Sequence, residues 1–337
     1  MPRSAHLFEI IKATDVLLHQ SRYDEAVIGS ISMRMESLRR LLETDATEID
    51  TLCAHKWDPY KQHTLVYTAT VARNYELVEM FLDYGANPNI ICGDYEFFNR
   101  NCLTHMCELG AWMSIPVVSL LIDRGATINA VMPSGGLTAL HFACGHGNGN
   151  AECVRLLIEN GADMLAREND GLTPLWYAVK RGRCQKTHPT QSTVDIVRTL
   201  VFYGANIHEI NSIGQTLLHR AAAVWGISIN MLLVQYLVDS GVQDYVDDNG
   251  MDAEDLALIN AGNSHYHRQQ ARLFSEQLQA MFVEKNRMDK LNIIAHGYHR
   301  HNRPTEHHPS INENYEHSRL YSVGRDPLNM ILKLAFH

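Results

Sequence analysis

Nineteen histidines are the first residues in this chain that suggest chemistry, because imidazole is both a metal ligand and an acid–base group. Five of them lie close together near the C-terminus, at His296, His299, His301, His307 and His308. Zinc sites pair such ligands with a second pair nearby, usually including cysteine, whereas this tract has no cysteine and contains Pro304 and Pro309. We therefore expect no metal site, and nothing else in the sequence indicates a cofactor.

The seven cysteines do not form a disulfide or zinc framework either. Their number is odd and no pair has CxxC spacing, which is typical of buried thiols in a reducing compartment. We expect them to fill the core of a cytoplasmic protein. The nucleus and the cytosol of a host cell are the alternative locations. They are Cys53, Cys92, Cys102, Cys107, Cys144, Cys153 and Cys184.

Charge and hydropathy exclude further classes. The 38 acidic residues outnumber the 29 basic ones, for a net charge of −9, so the chain has no electrostatic source for binding nucleic acid. Glu9, Lys12 and Asp15 interrupt the first apolar stretch, which predicts no secretory signal. The uncharged stretch from Ala221 to Val238 contains several polar residues and is better explained by a soluble helix pair than by a membrane span.

A repeated pattern organises these residues. The strings TALHFA (138–143), TPLWYA (173–178) and TLLHRA (216–221) are each followed by an apolar stretch and then by a glycine and a small residue. Looser copies start at Thr64, Asn101 and Asp252, so that successive copies are 37, 37, 35, 43 and 36 residues apart. This period has the size of a helix pair, and such pairs stack into a solenoid because none can bury its apolar face alone.

These motifs resemble those of the ankyrin repeat family, from about Met35 to Ala261. The resemblance implies an all-α solenoid of stacked helix pairs with projecting β-hairpin turns, followed by a C-terminal helical extension. The motif threonine is expected to cap the first helix, and Gly161 and Gly204 to end the second. We assign residues 1–58 to N-terminal capping helices, 59–262 to ankyrin repeats, and 263–337 to a C-terminal helical cap with a His-rich linker and a terminal helix.

The hairpin after Gly85 is the first departure from the repeat. Sixteen residues separate Gly85 from Asn101, against twelve between Gly161 and Thr173. The extra length carries Tyr95, Phe97 and Phe98 beside acidic residues, a composition typical of a binding hot spot. The alternative is that these rings fold back and shield a poorly packed neighbouring repeat.

Two further departures lie beyond it. Residues 181–192 form a polar insertion with Pro189, predicted to be a loop that either carries recognition or is tolerated drift. After about Asn263 the pattern predicts a long amphipathic helix over 265–294, which would cap the last repeat, then a polar linker over 296–317 and a short helix over 327–336.

The terminal segment 327–336, PLNMILKLAF, resembles the elongin-binding segment of suppressor-of-cytokine-signalling boxes. It departs from that family because Leu332 stands where the characteristic cysteine would be, and no cullin-contacting stretch follows. A helix that packs back on the solenoid explains the same residues.

Catalytic arrangements find no support. His141 and His219 occupy the motif's own histidine position, whose usual role is a hydrogen bond to the neighbouring turn, and Trp176 replaces it in one copy. The string HGNGN (146–150) resembles the glycine-rich loop of Fic-type nucleotide transferases, but Asn150 stands where the arginine would be and no strand precedes the string. It is better explained as a lengthened turn between helices.

The sequence therefore predicts a non-enzymatic scaffold or adaptor that binds an unidentified partner protein through the concave ankyrin face and the aromatic hairpin. Three alternatives stay open: a substrate adaptor of a cullin-type ubiquitin ligase, an enzyme whose catalytic part follows Asn263, and a microbial effector that binds host proteins. The predicted partner-binding residues are Tyr95, Phe97, Phe98, Leu137, Asn169, Leu172, Lys180, Arg181, Ser212, Ile213 and Gln215.

Overall fold

The computed structural model describes residues 35–40, 42–43, 49–50, 53–55, 58–93, 99–110, 113–133, 135–145, 150–181, 190–223, 230–261 and 265–301. Residues 35–40 and 42–43 are helical, as predicted, and bury Leu38 and Leu42. The strands β1 (Cys53–His55) and β2 (Asp58–His63) then form an antiparallel hairpin. The domain boundary predicted at residue 58 falls in β2, and the domain limits stay predictions.

Five helix pairs follow, which we call repeats 1 to 5. Their first helices are α1 (Leu65–Val71), α3 (Cys102–Glu108), α5 (Ala139–Gly145), α7 (Pro174–Arg181) and α9 (Leu217–Ala222). Their second helices are α2 (Tyr75–Asp83), α4 (Ile115–Asp123), α6 (Ala151–Glu159), α8 (Thr190–Phe202) and α10 (Met231–Asp239). A single helix of a sixth copy, α11 (Ala253–Asn260), precedes the long α12 (His265–His301).

The pairs stack in register. Each first helix contacts the first helix of the next repeat, from α1 through to α11, and each second helix contacts the next second helix, from α2 through to α10. The same positions are buried in every repeat: Val66, Leu103, Leu140, Leu175 and Leu218 on the first helices, and Val78, Val118, Val154, Val197 and Val234 on the second. This stacking confirms the predicted all-α ankyrin solenoid.

Short polar side chains start the helices, as the motif predicted. Thr64 Oγ1 accepts a hydrogen bond from Tyr67 N at 3.3 Å, and Asn101 Oδ1 accepts one from Thr104 N at 2.9 Å. Asn150 Oδ1 accepts from Glu152 N at 2.9 Å, so the last residue of the HGNGN string is the N-cap of α6. Each cap pairs a backbone N–H that the helix itself leaves unbonded.

Two predicted limits were wrong. Residues 190–192, assigned to the loop of the insertion, are the first turn of α8, because Pro189 is incompatible with a helix interior but not with the residue just before its start. The C-terminal helix runs to His301 rather than 294 and includes the start of the predicted linker, since the next proline is Pro304. The terminal segment 327–337 lies outside the described residues.

The chain divides into two compact units, residues 1–271 and 272–337. In the described part of the second unit, α12 buries Phe274 and Leu278 and leaves Leu273, Val283 and Met288 exposed. The apolar face predicted for this helix is therefore only partly covered. No helix among the described residues combines the length and the apolar character needed to cross a membrane.

Candidate protein-binding edge

Hairpins connect each second helix to the next first helix, and each begins at a glycine. Gly85, Gly125, Gly161, Gly204 and Gly241 have φ values between 86° and 102°. Only glycine adopts this left-handed conformation without steric cost, which explains the residue at the end of every second helix. The prediction for Gly161 and Gly204 is confirmed, and the five turns place the hairpins in equivalent positions.

An asparagine ladder joins the tips of the first three hairpins. Asn89 donates to Gly125 O at 3.0 Å and accepts from Thr127 N at 2.7 Å. Asn129 repeats this one hairpin later, donating to Gly161 O at 2.9 Å and accepting from Asp163 N at 2.9 Å. Two hydrogen bonds per junction hold these tips at a fixed spacing.

Leu165 stands where the third asparagine of the ladder would be, and its side chain is 71% exposed. Other contacts join the third and fourth hairpins. Arg167 Nη2 donates to Glu209 Oε1 at 3.0 Å, and Thr173 Oγ1 donates to Glu209 Oε2 at 3.2 Å. The connection between hairpins is therefore kept, while an apolar side chain projects from the tip.

The motif histidines connect neighbouring repeats from inside. His141 Nε2 lies 3.1 Å from Leu172 O and its Nδ1 lies 2.9 Å from Thr138 Oγ1. His219 makes the same contacts, with Met251 O at 3.1 Å and Thr216 Oγ1 at 2.9 Å. Because a carbonyl oxygen only accepts, Nε2 carries the proton in both rings. Burial lowers the pKa of His141, partly offset by the bond to Leu172 O. This confirms the structural role expected for both residues.

Trp176 takes the histidine position in repeat 4 without taking over this role. Its ring is fully buried, and its Nε1 has no hydrogen-bond partner within the described structure. Thr173, which would otherwise pair with a histidine, donates to Glu209 instead. The tryptophan ring packs in the core, and the polar contact with the next repeat is made instead by Thr173 and Glu209.

The described cysteines offer no accessible nucleophile. Cys92, Cys102, Cys107, Cys144 and Cys153 are free and buried, which confirms their expected place in the core. Burial raises the pKa of Cys102 to about 12, and the hydrogen bond between Cys107 and Cys153, together with burial, raises that of Cys107. Such thiols are protonated at neutral pH and unreactive. Cys53 has no described side chain, and Cys184 lies outside the described residues. Among the described residues, His, Cys, Asp and Glu form no group of three able to hold a metal.

The predicted partner-binding residues are placed differently from one another. Asn169, Ser212 and Ile213 are exposed on hairpins, whereas Leu137 and Leu172 are half-buried. Gln215 is also half-buried, and its Nε2 donates to Asp247 Oδ2 at 2.9 Å. Lys180 and Arg181 end α7, and their side chains lie outside the described part of the structure.

Tyr95, Phe97 and Phe98 also lie outside the described residues, but the base of their hairpin is described. Cys92 and Arg100 pair across it through N···O contacts of 2.7 and 2.8 Å. Arg100 Nη2 donates to Glu108 Oε1 at 2.5 Å and fixes the outgoing strand to α3. Cys92 and Arg100, on either side of the aromatic segment, are thus anchored.

Sequence reasoning missed an apolar row on this edge. Three hairpins expose a branched apolar residue six positions after the starting glycine, and two others expose apolar residues four or five positions after it. Aligning the copies on their glycines would have found part of the row, since the residue six positions after the glycine is apolar in three of the five hairpins. With their exposed fractions, the residues are Ile91 (42%), Val131 (62%), Leu165 (71%), Ile210 (58%), Tyr245 (61%) and Val246 (64%).

Comparison with known proteins also identifies ankyrin repeats in this chain. A family model of ankyrin repeats in three copies matches residues 103–187, and a single ankyrin repeat model matches residues 170–212. An ankyrin repeat protein of Fowlpox virus (strain NVSL) is 29% identical over 197 residues, which cover 57% of this chain and 52% of that protein. Human ankyrin repeat and SOCS box protein 6 is 31% identical over 120 residues, or 34% of this chain and 27% of that protein.

The crystal structure of the ankyrin repeat domain of Bcl-3 superposes with a TM-score of 0.50 at 22% identity, covering 75% of this chain and all of that domain. At this identity the likeness shows the fold alone. The chain spans about half the length, or less, of the curated relatives described above. Its motifs, its stacked helix pairs and the matching family models agree: residues 103–212 of the chain are ankyrin repeats.

Proposed function

We propose that this chain is a non-enzymatic scaffold that binds a partner protein along its hairpin edge. The observation that carries the proposal is the row of exposed apolar side chains, from Ile91 to Val246, on hairpins joined by side-chain hydrogen bonds. Apolar side chains that project from a rigid surface are typical of interface hot spots. Because these hydrogen bonds already order the hairpins, binding a partner costs less conformational entropy.

The chemistry of the described residues supports binding rather than catalysis. The described thiols are buried away from solvent, and both motif histidines are used in bonds between repeats. Free buried cysteines are typical of a reducing compartment, which supports a cytoplasmic location. The proposed surface also includes Tyr95, Phe97 and Phe98, on the strength of the sequence pattern alone.

Quantitative affinity purification of the full chain tests this proposal. Serine substitutions at Ile91, Val131 and Ile210 together are expected to reduce capture of the bound partner at least about tenfold, because each true anchor contributes about 2 kcal/mol. The matched control is Val283→Ser, since Val283 is 68% exposed but lies on α12. Equal capture by the triple variant, the control and the wild type would refute the edge as the binding surface.

The aromatic hairpin is tested in the same assay. Replacing Tyr95, Phe97 and Phe98 by alanine is expected to weaken capture while leaving the thermal transition nearly unchanged. Loss of the folded state on this substitution would instead place the rings in the core and remove them from the proposed surface.

A second candidate is a substrate adaptor of a cullin-type ubiquitin ligase. It is supported by the likeness of segment 327–336 to an elongin-binding helix and by the similarity to ankyrin repeat and SOCS box protein 6. The test is capture of elongin by the full chain and by a variant lacking residues 327–337. Capture that survives the deletion, or no capture by the full chain, would remove this candidate.

A further inference from the structure

The hairpins that follow repeats 4 and 5 carry four exposed apolar side chains, which we call the C-terminal hairpin patch: Ile210, Ile213, Tyr245 and Val246. All four side chains are between 42% and 64% exposed. The two hairpins are joined directly, since Asp248 N donates to Ile213 O at 3.1 Å and Gln215 Nε2 donates to Asp247 Oδ2 at 2.9 Å. The patch is therefore one surface and not two independent loops.

Two aspartates hold Tyr245 and Val246 in place. Asp244 Oδ1 accepts from Ala253 N at 3.1 Å on one side. On the other side Asp247 Oδ1 accepts from Asn249 N at 2.8 Å and from Met251 N at 3.1 Å. With both neighbours bonded, the dipeptide between them cannot turn inward without breaking these bonds. The exposure of its two large apolar side chains is thus built into the hairpin.

The electrostatic setting of the patch differs from that of the stretch of the solenoid just before it. Between residues 199 and 267 the only Lys or Arg is Arg220, whereas eight residues are acidic: Glu209, Asp239, Asp244, Asp247, Asp248, Asp252, Glu254 and Asp255. The preceding stretch, 111–198, has eight basic and seven acidic residues. The patch therefore lies in a part of the solenoid with a large excess of negative charge.

We propose that the C-terminal hairpin patch binds a Lys/Arg-rich peptide segment that also carries aliphatic or aromatic side chains. Apolar contact with the four patch residues supplies the affinity, and the surrounding carboxylates attract a cationic segment and repel an acidic one. The negative field also disfavours nucleic acid. This inference rests on the proposed scaffold function and adds to it the chemical class of one partner and its place on the edge.

Selection from a phage-displayed library of random dodecapeptides against the full chain provides the test. We expect the enriched peptides to combine net positive charge with at least one large apolar residue. The tightest one is then synthesised with a fluorescent label, and its Kd is measured by anisotropy at low and high salt. Enrichment of acidic or uncharged peptides, or no enrichment, would overturn the proposal.

Variants locate the binding surface. The double variant Ile213→Ser/Val246→Ser is expected to raise the Kd at least about tenfold. The single variant Val246→Ser covers the case in which the double variant fails to fold, and is expected to raise the Kd severalfold. The matched control is Val283→Ser, because Val283 and Val246 are 68% and 64% exposed but Val283 lies on α12 outside the hairpins, and it should leave the Kd unchanged.

A charge variant tests the second half of the proposal. Asp248→Asn keeps the backbone bond from Asp248 N to Ile213 O and removes one exposed charge. It is expected to raise the Kd at low salt and to reduce its salt dependence. Unchanged binding by all patch variants would overturn this inference alone, while partner capture that depends on Ile91 and Val131 would still support the scaffold function.

Discussion

The asparagine ladder permits a reciprocal test in which one substitution removes a junction and another adds one. Asn129→Leu deletes the two bonds to Gly161 O and Asp163 N, which measure 2.9 Å each. A neutral hydrogen bond contributes about 1 kcal/mol net, and exposed partners can bond water instead, so the expected loss is about 1–2 kcal/mol. Leu165→Asn places the same amide opposite Gly204 and Asn206, the equivalent positions one repeat later, and is expected to stabilise by about 1 kcal/mol.

Urea unfolding followed by circular dichroism measures both changes in the free energy of unfolding. A long repeat array does not always unfold in one step, so hydrogen exchange at Asp163 N and Asn206 N supplies a local measurement. The Asp163 amide should exchange faster in Asn129→Leu, and the Asn206 amide slower in Leu165→Asn. If neither the free energies nor these two exchange rates change, the ladder contributes nothing to the stacking of the hairpins.

Two further predictions concern groups inside the solenoid. Because burial lowers the pKa of His141, the unfolded chain binds a proton that the folded chain excludes, and the free energy of unfolding should fall as pH drops below about 6.5. The variant His141→Gln should show a smaller fall between pH 7.5 and pH 5. An identical pH dependence in both proteins would contradict the assignment. The described thiols should not react with an aromatic disulfide reagent until the chain is unfolded. These protected thiols are Cys92, Cys102, Cys107, Cys144 and Cys153. Reaction of more than two of the seven cysteines in the native protein would show that the core opens readily.

The sequence predicted those features that depend on near neighbours in the chain. A threonine or asparagine before an apolar run caps a helix wherever that helix lies, as Thr64 and Asn101 do. A glycine after an apolar run ends a helix for the same local reason. The repetition of these signals was enough to predict the stacked pairs, because the solenoid is built from contacts between adjacent copies.

Predictions failed where a boundary depended on how far a helix continues. The polar residues after Pro189 have no apolar signal of their own, yet they form the first turn of α8. The His-rich start of the predicted linker is likewise helical up to His301. Once nucleated, a helix adds residues at little cost, so it extends until a breaker stops it, and hydrophobic pattern underestimates that length.

The amino-acid sequence by itself thus determined the repeat, the helix caps and the glycine turns, since each follows from contacts within a few residues. Only the tertiary structure decided which hairpin residues remain in solvent and which are used between repeats. Gln215 and Ile213 are two positions apart in one hairpin, but the first bonds to Asp247 while the second projects. That distinction depends on the neighbouring hairpin, about 32 residues away in the chain, and no local pattern contains it.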